Sequence, residues 1–391
     1  MFDNFARPLE DVRRMKTAGC DMVANAFWRA IWCAVGLTVL MPLASSAASS
    51  EPGVLAIAPP DTNSSTAARK LVNISPGGSK EIAELSGHVI FGTDEDSAAF
   101  LELDGRGSAG GRLLVIDRKT HTVIADTNLP GVHSIPLKVL TADQAAVRTQ
   151  GATVVVQIVD EHGFGFIEVN WKTGKVIRMP DDPKGYPVAW IPLPSGFVVS
   201  TFDETAAFDA STHDPIVRIS GRGDHSDWRV RQALGRRQVY YVPTIGLMEY
   251  YNGLHLQLTD ANLSTNMANP ERFSSARIIG KIFVTDSPGK PLLIWGENTG
   301  PQDAHVPQNT INEIVFFDPG SKQEVLRKPL GNNFSENFRP NQAGTRVYFN
   351  KPDQGEIFCL DRTNQTISSF AKTGCQHFND GWSGSEIVAG Y

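Results

Sequence analysis

The segment Gly111 to Gly131, GRLLVIDRKTHTVIADTNLPG, constrains the fold of this chain more than any other. Two apolar, β-branched runs, Leu113 to Ile116 and Thr122 to Ala125, flank the short polar turn Asp117 to His121, and a Pro-Gly pair closes the segment. Runs of this kind around a tight turn predict a β-hairpin. The same pattern recurs along the chain, so the hairpin is part of a repeat. A single such unit cannot bury both of its apolar faces, and repeats of this kind are stable only when stacked on one another.

Taken in order, the chain divides into units of four predicted strands. His88 to Gly92 and Ala98 to Leu103 lead into the opening hairpin. A second unit is Ile135 to Leu140, Thr153 to Val159, Phe166 to Val169 and Lys175 to Arg178, and a third is Val188 to Ile191, Gly196 to Thr201, Ala206 to Phe208 and Ile216 to Ile219. The fourth runs through Trp228 to Arg231, Gln238 to Val242 and His255 to Leu258, with a weakly marked strand around Asn262 to Ala268. The fifth is Lys281 to Thr285, Leu292 to Trp295, Glu313 to Phe317 and Glu324 to Arg327, and the sixth is Phe338 to Asn341, Arg346 to Asn350, Glu356 to Leu360 and Thr366 to Phe370. Gln376 to Tyr391 then offers two inner strands, and Val54 to Ile57 with Lys70 to Ile74 offers two outer ones. Joined, they complete a seventh unit. A spacing of roughly 40 to 58 residues per unit is the period of propeller blades, and a ring closed through its termini leaves no long free sheet edge. The sequence therefore predicts an all-β fold, a seven-bladed β-propeller closed by pairing N-terminal outer strands with C-terminal inner strands.

The first fifty residues read differently. Arg29 and the apolar run Ala30 to Leu43 precede Ala44-Ser45-Ser46-Ala47-Ala48. A charge, a short apolar region and small residues describe a secretory signal. Residues 1–47 are thus expected to be a signal peptide with an N-terminal extension, residues 48–391 a single propeller domain, and the product periplasmic or secreted. The apolar run is short for a span of ~20 residues, so no stable membrane span is expected after cleavage. Cleavage removes Cys20 and Cys33, and the remaining pair, Cys359 and Cys375, is expected to form a disulfide in an oxidising compartment. A net charge of −6 gives no reason to expect nucleic acid as a partner.

The repeat grammar resembles a known family. Ile314 to Leu326, IVFFDPGSKQEVL, and Arg339 to Phe349, RPNQAGTRVYF, are similar to YVTN-type propeller repeats, with Gln342-Ala343 where that repeat usually has Asp-Gly. The exported chain as a whole also resembles the heavy subunit of quinoprotein amine dehydrogenases of the methylamine dehydrogenase type. The resemblance implies a periplasmic scaffold whose catalytic quinone sits on a separate small subunit, hence a catalytic or electron-transfer protein as partner and no catalytic residue in this chain.

Short chemical motifs carry little. Gly105-Arg-Gly107-Ser-Ala-Gly110 has the dinucleotide spacing, but a strand follows it and not the helix that the fingerprint needs. Gly381-Trp-Ser383-Gly-Ser385 lacks the final glycine of a nucleophile elbow. The histidines say more. His88, His133, His225 and His377 each follow a glycine closely and stand at or just before a predicted innermost strand. His162 and His305 fall in the other connections of the same side, and Trp228 and Arg229 join them as secondary candidates within an Arg-rich stretch. Imidazoles gathered at one channel mouth suit a transition metal. Two readings follow. One is an exported binding scaffold, the non-catalytic subunit of an amine-dehydrogenase-like complex. The other is a self-contained metal-assisted hydrolase or lactonase that uses a His-lined mouth.

Overall fold

The structure is a computed structural model that describes residues 53–58, 68–94, 96–103, 111–129, 145–147, 153–160, 163–179, 187–201, 204–220, 238–251, 254–267, 278–285, 290–300, 310–335, 337–351, 354–373, 376–378, 381–383 and 386–391. The chain divides into units 1–49 and 50–391, and every described residue belongs to the second.

That unit is built of strands. It opens with β1 (Val54–Ile57), β2 (Arg69–Ser75) and β3 (Gly78–Leu85). A first complete sheet follows, with β4 (His88–Thr93), β5 (Ser97–Leu103), β6 (Gly111–Asp117) and β7 (Thr122–Leu129). The second is β8 (Ala145–Val147), β9 (Thr153–Asp160), β10 (Gly163–Asn170) and β11 (Lys175–Arg178), and the third is β12 (Pro187–Leu193), β13 (Gly196–Thr201), β14 (Glu204–Asp209) and β15 (Pro215–Ser220). The fourth has three strands, β16 (Gln238–Val242), β17 (Gly246–Tyr251) and β18 (Leu254–Gln257). The fifth is β19 (Ile278–Val284), β20 (Leu293–Glu297), β21 (Thr310–Asp318) and β22 (Gln323–Ser335), and the sixth is β23 (Phe338–Pro340), β24 (Arg346–Lys351), β25 (Glu356–Asp361) and β26 (Thr366–Lys372). After the hairpin of β27 (Gln376–Phe378) and β28 (Gly381–Ser383), β29 (Glu386–Gly390) pairs with β1 and completes a sheet in the order β29-β1-β2-β3. Seven blades thus form a β-propeller.

Three details differ from the sequence reading. The closing sheet takes one strand from the C-terminal end and three from the N-terminal end, where a two-and-two division was expected. The additional strand there, β3, reads GSKEIAEL; its first four residues are exposed and only Ile82, Ala83 and Leu85 turn inward, so its apolar signal is short. In the fourth blade the innermost strand is β16, whereas Trp228 to Arg231 was expected to be innermost. The slip came from β17, GLMEYY, whose glutamate breaks the apolar run. In the second blade the innermost strand is β8, not Ile135 to Leu140, which lies outside the described residues.

Burial follows the two-residue period of the strands. Leu55 and Ile57 pack with Val89, Phe91, Phe100 and Leu114 of the first blade, while Val54 and Ala56 between them pack with Tyr348, Ile357 and Cys359 of the sixth. The same division holds all the way round, and each of the seven seams between neighbouring blades has its own apolar cluster. Second strands therefore have no solvent face; β13 and β20 are buried throughout.

The outer hairpins share one turn, and the side chain that makes it is local. Asp117 accepts backbone N–H bonds from Lys119 (2.9 Å) and Thr120 (2.8 Å). Asp209 does the same for Ser211 and Thr212, Asp318 for Gly320 and Ser321, and Asp361 for Thr363 and Asn364. Asn170 plays this part for Thr173. Four residues after the acceptor the backbone turns left-handed, at His121 (φ 55), Gly174 (φ 69), His213 (φ 59), Lys322 (φ 59) and Gln365 (φ 57). A residue with a Cβ is strained there, on the order of 1 kcal/mol. Gln365→Gly is accordingly expected to raise stability, and Gly174→Ala to lower it, each by about 1 kcal/mol in denaturant unfolding.

The same aspartates set the acid limit. Bonds from Ser211 and Thr212 hold Asp209 at about 2. At Asp117 and Asp318 partial burial pushes upward, but the turn's hydrogen bonds leave both below the usual carboxylate range. A carboxylate depressed in the folded chain adds stability that is full above about pH 4 and is lost as pH falls through the folded-state value. The melting temperature should hold from pH 8 to 5 and fall between about pH 4 and 2, and the fall should be shallower in Asp209→Asn.

Candidate functional site

The two ends of the propeller are built differently. At one end the strands are joined by the tight turns just described and by short links such as 194–195 and 243–245. At the other end, where the innermost strands begin, two-residue links such as 161–162 and 202–203 stand among long connections: 130–144 between β7 and β8, 221–237 between β15 and β16, 298–309 between β20 and β21, and 373–385 between β26 and β29. Long connections held by a rigid scaffold are where binding residues concentrate. This end, the mouth, is the candidate site.

Beneath the connections, five second strands carry a buried polar side chain at or near the mouth. These are Glu102 (β5), Thr201 (β13), Glu249 (β17), Glu297 (β20) and Asn350 (β24), each less than a tenth exposed. Strand register puts them level with the starts of the innermost strands: Glu102 lies opposite Val89, Thr201 opposite Pro187, Glu249 opposite Val239 and Glu297 opposite Ile278. Most of their partners come from the same blade. Glu102 accepts from Arg112 Nη1 and from Ser86 Oγ, both at 3.0 Å, while Arg112 also grips Asp126 through two bonds of 2.8 Å. The bond to Asp126 and the nearby Glu102 hold Arg112 firmly protonated. Thr201 bridges its own connection, donating to the Glu204 carbonyl and accepting from the Glu204 N–H.

The fifth blade has the densest set. Glu297 and Glu313 face each other across β20 and β21, an arrangement that repels when the charges are bare. Arg327 of β22 settles it, with Nη1 2.8 Å from Glu297 and 2.7 Å from Glu313, and Nη2 2.6 Å from Glu324. The indole N–H of Trp295 supplies Glu297 with a further bond of 2.7 Å. In the closing sheet Arg69 and Glu386 stand 3.6 Å apart. These groups are held in place by one another, so their chemistry is anchorage of the mouth.

Of the histidines singled out in the sequence, His88 is the first residue of innermost strand β4, as expected. His377 is not at the start of an innermost strand: it lies in β27, paired with Trp382 in the two-stranded sheet ahead of β29. His133, His162, His225, His305, Trp228, Arg229 and Cys375 lie outside the described residues. The correction to the fourth blade leaves His225, Trp228 and Arg229 in the connection before β16, not beside an inner strand at 228–231. No group of three or more His, Cys, Asp or Glu side chains able to hold a metal occurs among the described residues. Cys359 lies buried in β25 with no disulfide partner among the described residues, and burial pushes its thiol up to about 11. Its pairing with Cys375 is a proposal that the described residues do not reach.

Two further histidines have structural settings. His255, fully buried in β18, is ringed by Tyr240, Tyr250, Trp295 and Phe317, and burial lowers it to about 4. It is neutral at physiological pH and fills the seam between the fourth and fifth blades. His121 sits in the β6–β7 turn at the end away from the mouth, where Asn73 bonds its Nδ1 (3.2 Å) and Tyr391 packs on its ring. The buried glutamates were not singled out in the sequence. The signal available was a carboxylate inside an apolar strand run, as in Phe100-Leu-Glu102-Leu103 and Leu293-Ile-Trp-Gly-Glu297.

No family model and no curated protein matches the chain. Similar solved structures include hydrazine synthase from Kuenenia stuttgartiensis, at 14% identity over 70% of this chain and 76% of that one (TM-score 0.45). Dihydro-haem d1 dehydrogenase NirN is 13% identical over 84% of this chain and 66% of its own, with a TM-score of 0.48. The computationally designed Ika8 protein is 12% identical over 86% of this chain and 90% of its own, with a TM-score of 0.49. At these identities the likeness concerns the fold alone.

The Arg327 cluster generates a stability prediction. Removing one partner of a buried ion pair strands the other charge, at a cost of about 3 kcal/mol. Arg327→Met should therefore destabilise the protein by roughly that amount, and adding Glu313→Gln should restore part of the loss by removing the facing carboxylate. Denaturant midpoints of the single and double variants check both.

Proposed function

We propose that the protein is an exported binding scaffold that presents its mouth to a partner, as the non-catalytic heavy subunit of an amine-dehydrogenase-like electron-transfer complex. The observation that carries the scaffold reading is that the longest connections of the chain join the strands at the end where buried, anchored polar side chains gather, while compact turns join the outer hairpins at the other end. Such an arrangement spends rigidity on holding loops in position, which is what a docking surface requires. The YVTN-like repeats and the signal-like N-terminus support the finer assignment, with a small catalytic or electron-transfer protein as the partner.

The second reading, a self-contained metal-assisted hydrolase or lactonase, draws on one feature. His88 opens β4, and His377 lies shortly ahead of β29, the strand that touches β4 in the inner ring. One experiment separates the two. The protein purified from its native periplasm under mild conditions should bring down a small subunit in stoichiometric amount and contain no bound metal. A monomeric product carrying about one equivalent of transition metal, lost in the His88→Ala/His377→Ala double variant, would overturn the scaffold reading in favour of the enzyme.

A further inference from the structure

A groove of about 320 Å³ lies between outer strand β26 of the sixth blade and strands β2 and β3 of the closing blade. We propose that this groove binds a small amphipathic carboxylate, its apolar body against Val72, Ile74 and Phe370 and its charge on Lys372.

The shape comes from the backbone. The β2–β3 turn runs through Pro76 and Gly77 to Gly78, whose φ of +130 favours glycine, and a Cβ built there would meet nothing within 4 Å. The turn thus lines one wall with the small residues Ser75, Pro76, Gly78 and Ser79. The floor is apolar: Val72 and Ile74 are buried, and Phe370 stands edge-on to Tyr348 with centroids 5.1 Å apart, which fixes its ring as part of the wall. The volume sits at the small end of the roughly 300–1,000 Å³ typical of ligand pockets, which selects a molecule of about ten heavy atoms.

The polar lining decides the head group. Of the three lining hydroxyls, Ser75 Oγ donates to the Gly78 carbonyl (3.3 Å) and Thr373 Oγ1 to the Gly355 carbonyl (3.2 Å), and Ser79 is exposed. Glu356, opposite Lys372 in register, accepts from Ser369. Lys372 is the one charged side chain in the lining, and it enters no ion pair among the described residues. An apolar floor with a single ammonium at its rim complements an aliphatic or aryl chain that ends in a carboxylate.

The test is calorimetric titration with octanoate at low ionic strength and pH 7. One saturable site is expected on the wild-type protein. Lys372→Gln should weaken binding about tenfold and Ser79→Trp, which plugs the groove from an exposed position, should abolish it, with both variants checked for wild-type circular dichroism. The neutral isostere 1-octanol should bind at least tenfold more weakly than octanoate. Absence of a saturable site, equal binding of octanoate and octanol, or undiminished affinity in either folded variant overturns the proposal. The readout is binding of octanoate to the protein alone, so a failure here is distinguishable from a failure to recover a partner subunit.

Discussion

The ladder between β29 and β1 is the interaction on which the rest of the structure depends. Its register runs from Val54 opposite Gly390 to Ile57 opposite Glu386, and Tyr391 extends it with an N–H bond to the Gly53 carbonyl at 2.9 Å. Without that pairing, β1 would be a free inner edge and the clusters on both of its faces would lose a wall. Leu55 and Ile57 serve one seam and Val54 and Ala56 the other, so a single four-residue strand is shared between two blades. The closing end is reinforced where the two termini meet. Arg118, from the first blade, donates to the Gly390 carbonyl (3.2 Å) and lies over the Tyr391 ring, while Tyr348 Oη of the sixth blade donates to the Tyr391 carbonyl (3.1 Å). Gly390 must be small here, because a Cβ would come within 2.5 Å of the Tyr348 ring. The outermost strands keep a free edge on the rim, and on one of them, β11, the exposed Lys175 discourages further strand pairing.

Ring closure also explains why one end can carry long connections. The seams are made in mid-strand by side chains alternating between two neighbours, and the tight turns at the far end satisfy their own backbone through Asp117, Asp209, Asp318 and Asp361. Neither device uses the residues at the mouth. Long surface connections on a rigid scaffold are where sequence can answer to a partner or ligand. The in-blade bonds of Glu102, Thr201 and Glu297 finish each sheet just below that level.

Legibility in the sequence followed the range of the interaction. Turns written by a side chain and its own next three residues were readable, which is why the hairpin at 111–131 and the third, fifth and sixth blades emerged from inspection. Strands that owe their place to distant partners were not. The first half of β3 is exposed and held by backbone pairing to β2, and only Ile82, Ala83 and Leu85 at its end reach the core, too few to show alternation. In β17 the buried Glu249 interrupts the pattern that a single-strand reading relies on. The candidate histidines are placed by their distance from strand starts, so their positions follow the strand register and shift where β17 and the division of the closing sheet differ from the sequence pattern.

The buried glutamates fit a role in register better than one in raw stability. A buried ion pair gives little net stabilisation over an apolar pair of the same shape. Its partner, however, must be in one place. Glu102 lies opposite Arg112, and on the same face as Phe100. A slip of β5 by one residue would turn the carboxylate to the other face, toward the seam of Leu101, Leu113 and Val154, where no guanidinium waits. The same holds for Glu297, whose two neighbours across the sheet, Glu313 and Arg327, are opposite in sign and adjacent in position. Propeller strands of similar composition could pair in several registers on apolar contacts alone. A charge near the mouth end of the second strand removes the alternatives, and it does so at the level where the connections of the working face begin.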